Sequence, residues 1–346
     1  MLAEDQILID GLQYCQCDRA YFQSLVDSGL SAVHVTLAYH ELARDTMTRF
    51  AQWNRHFEEH ADLIMPVHSV DDIYRAKLLG KCGIIFGAQN CSPIEDEIGL
   101  VEVMRRQGLM IMQLTYNNQS LLATGCYEQH DSGLTRMGRQ VIEEMNRVGM
   151  VIDMSHSAER STLDTIEYST RPICISHANP SFFHDALRNK SRDLLKVLGE
   201  SGGLLGFSLY PFHLPDGGDC RLETFCQMAA QTAELMGEEN IGIGSDLCLN
   251  QPVAILDWMR NGRWAKVKDY GEGSSDNADW PSQPSWFQNT SGFSNLYQGL
   301  RQAGFSEQGA YGVLGGNWLR FLTQGSDPAS QSATKDWKHS MTHCVA

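Results

Sequence analysis

No stretch of the 346 residues approaches the eighteen or more consecutive apolar residues that a membrane span needs. The N-terminus, "MLAEDQILIDG", has acids where a secretory leader carries Lys or Arg, and no long apolar region follows. Basic residues are scarce: 27 Lys and Arg against 42 Asp and Glu leave a net charge of −15. A surface of that sign repels phosphate backbones, which argues against nucleic acid as a partner. A cysteine framework is missing too. Ten cysteines are scattered, and the one close pair, Cys15 and Cys17 in "CQC", does not have the C-x-x-C spacing of a zinc ribbon or redox site. These absences point to a cytoplasmic, membrane-free protein whose thiols are reduced and largely buried.

What the chain does have is ample apolar material, 42% of residues, with 20% charged, enough for a large core. Nine short apolar runs alternate with longer amphipathic segments: "ILID", "AVHVTLA", "LIMPV", "GIIFGAQ", "LMIMQLTY", "MVIDMSH", "PICISH", "GLLGFSL" and "IGIGSD". Runs that are apolar on both parities belong to strands covered on both faces, as in a parallel sheet packed with helices. This many βα units favour a closed (β/α)₈ barrel of the TIM type over two open sheets. Nine candidates for eight staves leave one extra. "LIMPV" is the one to drop, because Pro66 cannot donate to a ladder. The barrel domain is expected over 1–324. Residues 257–292, with four tryptophans among Gly, Ser and Pro, read as a long loop covering the mouth, and 325–346 as a flexible tail.

Barrel enzymes carry their chemistry at the C-terminal ends of strands. Here those ends bear Gln89, Tyr116 with Asn117, His156, His177 and Asp246. Two neighbouring strands both end on Ser-His, "VIDMSH" and "PICISH". Neighbouring strands lie about 4.8 Å apart, so two imidazoles placed this way could share a metal ion. Alternatively, each merely caps its strand on a backbone carbonyl. Asp246 follows the small residues of "IGIGS" and suits proton transfer or metal binding, or else a helix N-cap. Arg188 and Asn189 in "ALRNKS" precede a helix, and a guanidinium there suits a substrate carboxylate or an ordinary surface ion pair. Asp153, three residues before His156, is expected on the opposite strand face, bonding between the strand and helix layers.

The series "LTYNNQSLLATGCYEQHDSGLTRMGRQVIEEMNRVGMVIDMSH", then "SH", "RN", "GESGGLLG", "GIGSD" and "GGNWLRF", resembles the membrane (renal) dipeptidase family. The resemblance runs from about residue 6 to 322 and is most specific over 109–206. It implies a metal-dependent, amidohydrolase-type barrel, usually with two zinc ions, that cleaves dipeptides, and it suggests a homodimer. Position by position, His156 and His177 match metal-binding histidines. Arg188 matches the arginine that binds the substrate carboxylate, and Asp246 the catalytic acid/base. The chain departs from the family where members read "DGHND": it has "DGLQY", with Leu12 and Tyr14 at the two ligand places. Gln89 stands where the bridging glutamate is expected, and Tyr116 where a transition-state histidine is expected. "FGAQNCSPIEDEIG" and "QLTYNNQSLLATGCYE" resemble a bacterial branch with "QN" and "YN" at the same places, so the loss is patterned.

The expectation is therefore a hydrolase of an amide or peptide-like bond in a small carboxylate-bearing substrate. It would use a divalent metal, zinc, as one ion rather than two, at His156 and His177. Asp246 and Tyr116 are the candidate catalytic groups, and Arg188, Asn189, Asn117 and Gln89 the substrate-binding ones. Cys15, Cys17, Glu128 and His130 are the weaker candidates for replacement ligands. Two rivals stand beside this reading: a metal-free enzyme of proton transfer or C–N cleavage, and a non-catalytic binder of a small carboxylate.

Overall fold

The apolar runs fold as nine parallel strands in a computed structural model, which describes residues 2–326 apart from 264, 269, 272 and 277. They are β1 (Ile9–Gln13), β2 (Ala32–Ala38), β3 (Ile64–Pro66), β4 (Cys82–Ala88), β5 (Leu109–Gln113), β6 (Val151–Asp153), β7 (Cys174–Ala178), β8 (Leu204–Phe207) and β9 (Ile241–Ile243). Eight of them run in the order β1-β2-β4-β5-β6-β7-β8-β9. The ring closes as Gln13 bridges Leu247, with Tyr14 donating to the Leu247 carbonyl at 3.0 Å and Asp246 to that of Leu12 at 3.0 Å. The result is a nearly closed α/β barrel, as the sequence predicts. β3 lies off the ring: it pairs with Cys82–Ile84 at the start of β4, while β5 takes Phe86–Ala88 at its end. A short strand ending on Pro66 is kept at the periphery by the missing N–H.

The amphipathic segments form the covering helices α1 (Arg19–Asp27), α2 (Ala43–Glu59), α3 (Val70–Leu78), α4 (Leu100–Arg106), α5 (Arg136–Val148), α6 (Glu159–Tyr168), α7 (Arg192–Glu200) and α8 (Leu222–Met236). Then follow α9 (Val253–Asn261), α10 (Phe293–Gln302), α11 (Glu307–Tyr311) and α12 (Asn317–Ser326). Their ends are written in the sequence. The Thr135 hydroxyl caps α5 by accepting from Gly138 N, and Gly149 ends it at φ 68°, a left-handed turn open to glycine. None of these helices is long and apolar enough to cross a membrane.

The bottom of the barrel is stoppered by α12. Trp318, Phe321 and Leu322 pack against a layer that takes Ile9, Ala32, Ile85, Ile111, Val151, Cys174 and Leu204 from successive strands. The Trp318 indole donates to the Ile243 carbonyl at 2.8 Å. A Cβ on Gly11 would lie 2.2 Å from its ring, so that position must be glycine. With the lower end filled, open space is left at the C-terminal ends of the strands. Two expectations need correction here. The segment from 257 begins inside α9, because "VAILDWMRN" is helical up to the stop at Gly262. Gly325 and Ser326 are buried in α12 rather than part of a tail, and 327–346 lie outside the described residues.

Candidate active site

Two buried carboxylates tie neighbouring strand ends together. Between β6 and β7, Asp153 accepts from Ser155 N at 3.0 Å and Ser155 Oγ at 2.6 Å, then from Ser176 N at 3.0 Å and Ser176 Oγ at 2.6 Å. Asp153 is structural, as expected, but it joins strand to strand rather than strand to helix. The parity rule fails because β6 stops at Asp153 itself and "MSH" turns away from the ladder. Between β9 and β1, Asp10 plays the matching part. It accepts from Ser245 N at 2.7 Å, Ser245 Oγ at 2.5 Å, Leu12 N at 3.3 Å and Gln13 Nε2 at 2.7 Å. Burial outweighs these donors and pushes the Asp10 carboxyl up to about 6.

The first clamp sets a histidine. Since Ser176 gives its hydroxyl proton to Asp153, its oxygen accepts from His177 Nδ1 at 2.7 Å, which leaves His177 Nε2 as the lone-pair nitrogen. His156 Nδ1 lies 2.6 Å from Asn117 Oδ1, an oxygen that also accepts from Cys126 Sγ, so this ring too keeps its lone pair on Nε2. Gln89 donates its amide to Thr36 Oγ1 at 2.8 Å, which turns Oε1 inward. These three acceptor atoms then converge. His156 Nε2 is 3.0 Å from His177 Nε2 and 2.9 Å from Gln89 Oε1. Both imidazoles are fully buried, and burial, followed by the nearby Arg188 charge, drives their pKa values well below 6.5. They are neutral at physiological pH, the form that ligates a metal.

Convergence of three lone-pair atoms, each fixed by a hydrogen bond on its far side, fits one divalent cation. Leu12 is buried and apolar, and the buried Tyr14 phenol is held protonated by burial and then by Asp246. Among the described residues no further His, Cys, Asp or Glu atom joins His156 and His177 in a group of three. The weaker replacement candidates are elsewhere: Cys15 leans on the Leu247 carbonyl at 3.4 Å, Cys17 on the Cys15 carbonyl at 3.7 Å, Glu128 accepts from Gln119 N, and His130 is exposed.

Beside His156 is a tight cavity of about 60 Å³, room for a small molecule, and His177 lies behind His156 rather than in its lining. Of the predicted site residues the cavity gathers Gln89, Tyr116, Asn117, His156, Arg188 and Asp246. Tyr116 stacks on His156 at 3.9 Å, and burial, then Asp246, raises its pKa, so the phenol stays a donor. Asp246 sits at φ 57°, a left-handed conformation that a non-glycine residue pays for and that turns it at the end of β9. Arg188, 2% exposed, donates to the Ser155 carbonyl, to the His177 carbonyl at 3.2 Å and to His156 Nε2 at 3.3 Å. Asn189 is not at the cavity. Its oxygen accepts from Asn179 N and its amide donates to the His184 and His213 carbonyls, so it braces the loop instead. Sequence reasoning missed Tyr127, Tyr210, His213, Arg260 and Tyr270, which reach the cavity from loops and α9. For Arg260 and Tyr270 the aromatic-rich composition of 257–292 was the available signal.

Fold and cavity together define an amidohydrolase-type barrel with a histidine pair at its mouth. The chain belongs to the membrane dipeptidase family (peptidase family M19), whose model matches residues 20–257, starting beyond Leu12 and Tyr14. It is similar to dipeptidase tcpJ of Claviceps purpurea, 23% identical over 84% of this chain and 62% of that one. Dipeptidase 3 of Rattus norvegicus is 25% identical over 70% of this chain and 45% of its own length. The chain thus spans less than two thirds of these curated relatives. Among solved structures, an amidohydrolase from Pseudomonas aeruginosa is 33% identical, with a TM-score of 0.88 over 93% of this chain and 97% of that one. A metallo peptidase from Rhodobacter sphaeroides, liganded with a phosphinate mimic of L-Ala-D-Ala, shares the fold at 14% identity, with a TM-score of 0.76 over 93% and 100% of the two chains.

Proposed function

We propose that the barrel mouth hydrolyses an amide-like bond in a small carboxylate-bearing molecule, with a single divalent cation, zinc or a similar ion, held by His156, His177 and Gln89. The observation that supports this reading is the approach of their three acceptor atoms to 2.9–3.0 Å. In this reading Leu12, Tyr14 and Gln89 replace the donors of a second ion, so the usual pair does not form. An ion at the mouth would supply Lewis-acid polarisation of the scissile carbonyl. Asp246 takes the proton of the attacking water and returns it to the leaving nitrogen. Tyr116, kept protonated, donates to the carbonyl oxygen as it gains charge. Arg188 and Arg260 give the cavity a positive wall that draws in the substrate carboxylate.

Elemental analysis of gently purified protein, paired with dipeptide and N-acyl amino acid hydrolysis under added Zn²⁺, Mn²⁺ or Co²⁺, tests the proposal. One equivalent of metal is expected at the mouth, read as the metal that His177→Ala loses, and Asp246→Asn should lower turnover by about a hundredfold to ten-thousandfold. Absence of metal, with no hydrolysis under any of the three ions, would sink it. One observation favours a second reading, an enzyme that works without metal: the Arg188 guanidinium already faces His156 Nε2 at 3.3 Å. Activity that survives a chelator would decide for it.

A further inference from the structure

Away from the mouth, the last turn of α2 and its C-cap residue read "HFEEH", with His56 and Glu59 in the helix and His60 capping it, at i, i+3 and i+4. That spacing puts all three on one helix face. A ligand atom from each lies within 4.8 Å of the others, and this is the sole such group of three among the described residues. The two rings are stacked, 6.1 Å between centroids and 18° between planes. Phe22 on α1 packs against both, at 5.7 Å and 5.1 Å, and Trp53 packs on His56 at 5.4 Å, so the pair is held by its neighbours rather than loose in solvent. Buried Nδ1 atoms on both histidines have no hydrogen-bond partner among the described residues. The turn is also the C-terminal end of a helix, where unpaired carbonyls favour a cation.

We propose that His56, Glu59 and His60 form a separate binding site for a divalent cation of the zinc class. Two imidazoles and one carboxylate are a donor set that such ions accept, with water filling the remaining positions on the half-exposed side. The helix end gains a compensating charge on binding. An ion here would bind the folded chain and not the unfolded one, and so would raise the melting temperature.

The test uses the full chain, stripped of metal and titrated with Zn²⁺ by calorimetry and with Co²⁺ by visible absorption. Wild-type protein should show a binding event that His177→Ala leaves in place and that His60→Ala weakens by at least ~tenfold, the scale on which ligand-sphere changes act. Glu59→Gln should weaken it less, and Zn²⁺ should raise the melting temperature of His177→Ala but not of the double variant H60A/H177A. Metal-free melting of each variant checks that it is folded. A second handle that needs no substitution is the Trp53 indole resonance, which Co²⁺ should broaden. Unchanged Zn²⁺ affinity in folded His60→Ala, or an unaffected Trp53 signal at saturating Co²⁺, would overturn the proposal.

Discussion

The β6–β7 and β9–β1 junctions are built alike and used differently. In each, a buried aspartate accepts both the backbone N–H and the hydroxyl of a serine on the neighbouring strand end, Asp153 from Ser176 and Asp10 from Ser245. At the first, the serine oxygen goes on to accept from His177 Nδ1, and the clamp leaves the lone pair on Nε2. At the second, the serine leans on the Leu12 carbonyl and the aspartate on Gln13, and the neighbouring side chains are Leu12 and Tyr14. A scaffold for orienting polar groups thus stands on both sides of the mouth, and on only one of them does it end in an imidazole. The clamp is a structural part of the barrel in its own right, and the chemistry is laid over it.

The largest expected effect is the pH dependence of stability that the β9–β1 clamp confers. Burial raises the Asp10 pKa from 3.8 to about 6, so the folded chain holds a proton that the unfolded chain releases. That stability is fully present below pH 3.8 and is lost as pH rises through 6, a change of order 2–3 kcal/mol for a fully buried group. Denaturant unfolding from pH 4 to 8 should show it in the wild type and lose it in Asp10→Asn. An identical slope in the variant would remove Asp10 as the cause.

Next comes the metal. Asp153→Asn should cost about 10–100-fold in Zn²⁺ affinity at the mouth, because the Ser176–His177 tautomer is no longer fixed, whereas Asp10→Asn should leave that affinity within a few-fold. Equal losses in both would mean that the junctions do not differ in function. The smallest expected change is a gain. Leu12→His combined with Tyr14→Asp adds a His and an Asp donor on an intact clamp, and metal held at the mouth should rise from one equivalent toward two. If it stays at one, the neutral Gln89 amide is the obstacle, and adding Gln89→Glu should complete the rise.

Much of the barrel was legible because a buried parallel strand needs apolar residues on both faces, and nine such runs stand out. His156 and His177 were legible because each is the polar residue that ends such a run. Asp153 was misplaced because alternation holds only while a strand lasts, and β6 is three residues long. Asn189 was assigned to substrate because it adjoins Arg188. In the fold, the loop turns one side chain to the cavity and the other back onto His184 and His213. The end of α9, from Asp257, was read as loop because Trp, Gly and Ser downstream masked a short helical repeat.

By itself the sequence determined the repeating βα architecture, the acid-rich charge balance and which polar residues terminate the staves, since all three are properties of composition and local period. Tertiary structure alone decided which nitrogen of each imidazole keeps its lone pair, that Gln89 turns its oxygen inward, and that Leu12 shares a clamp with Ser245. The physical reason is that each choice is made by a hydrogen-bond partner far away in the chain: Asp153 acting through Ser176, Thr36 on Gln89, Asn117 on His156, Asp10 on Ser245. No local pattern carries that pairing; only the closing of the ring brings those atoms within reach.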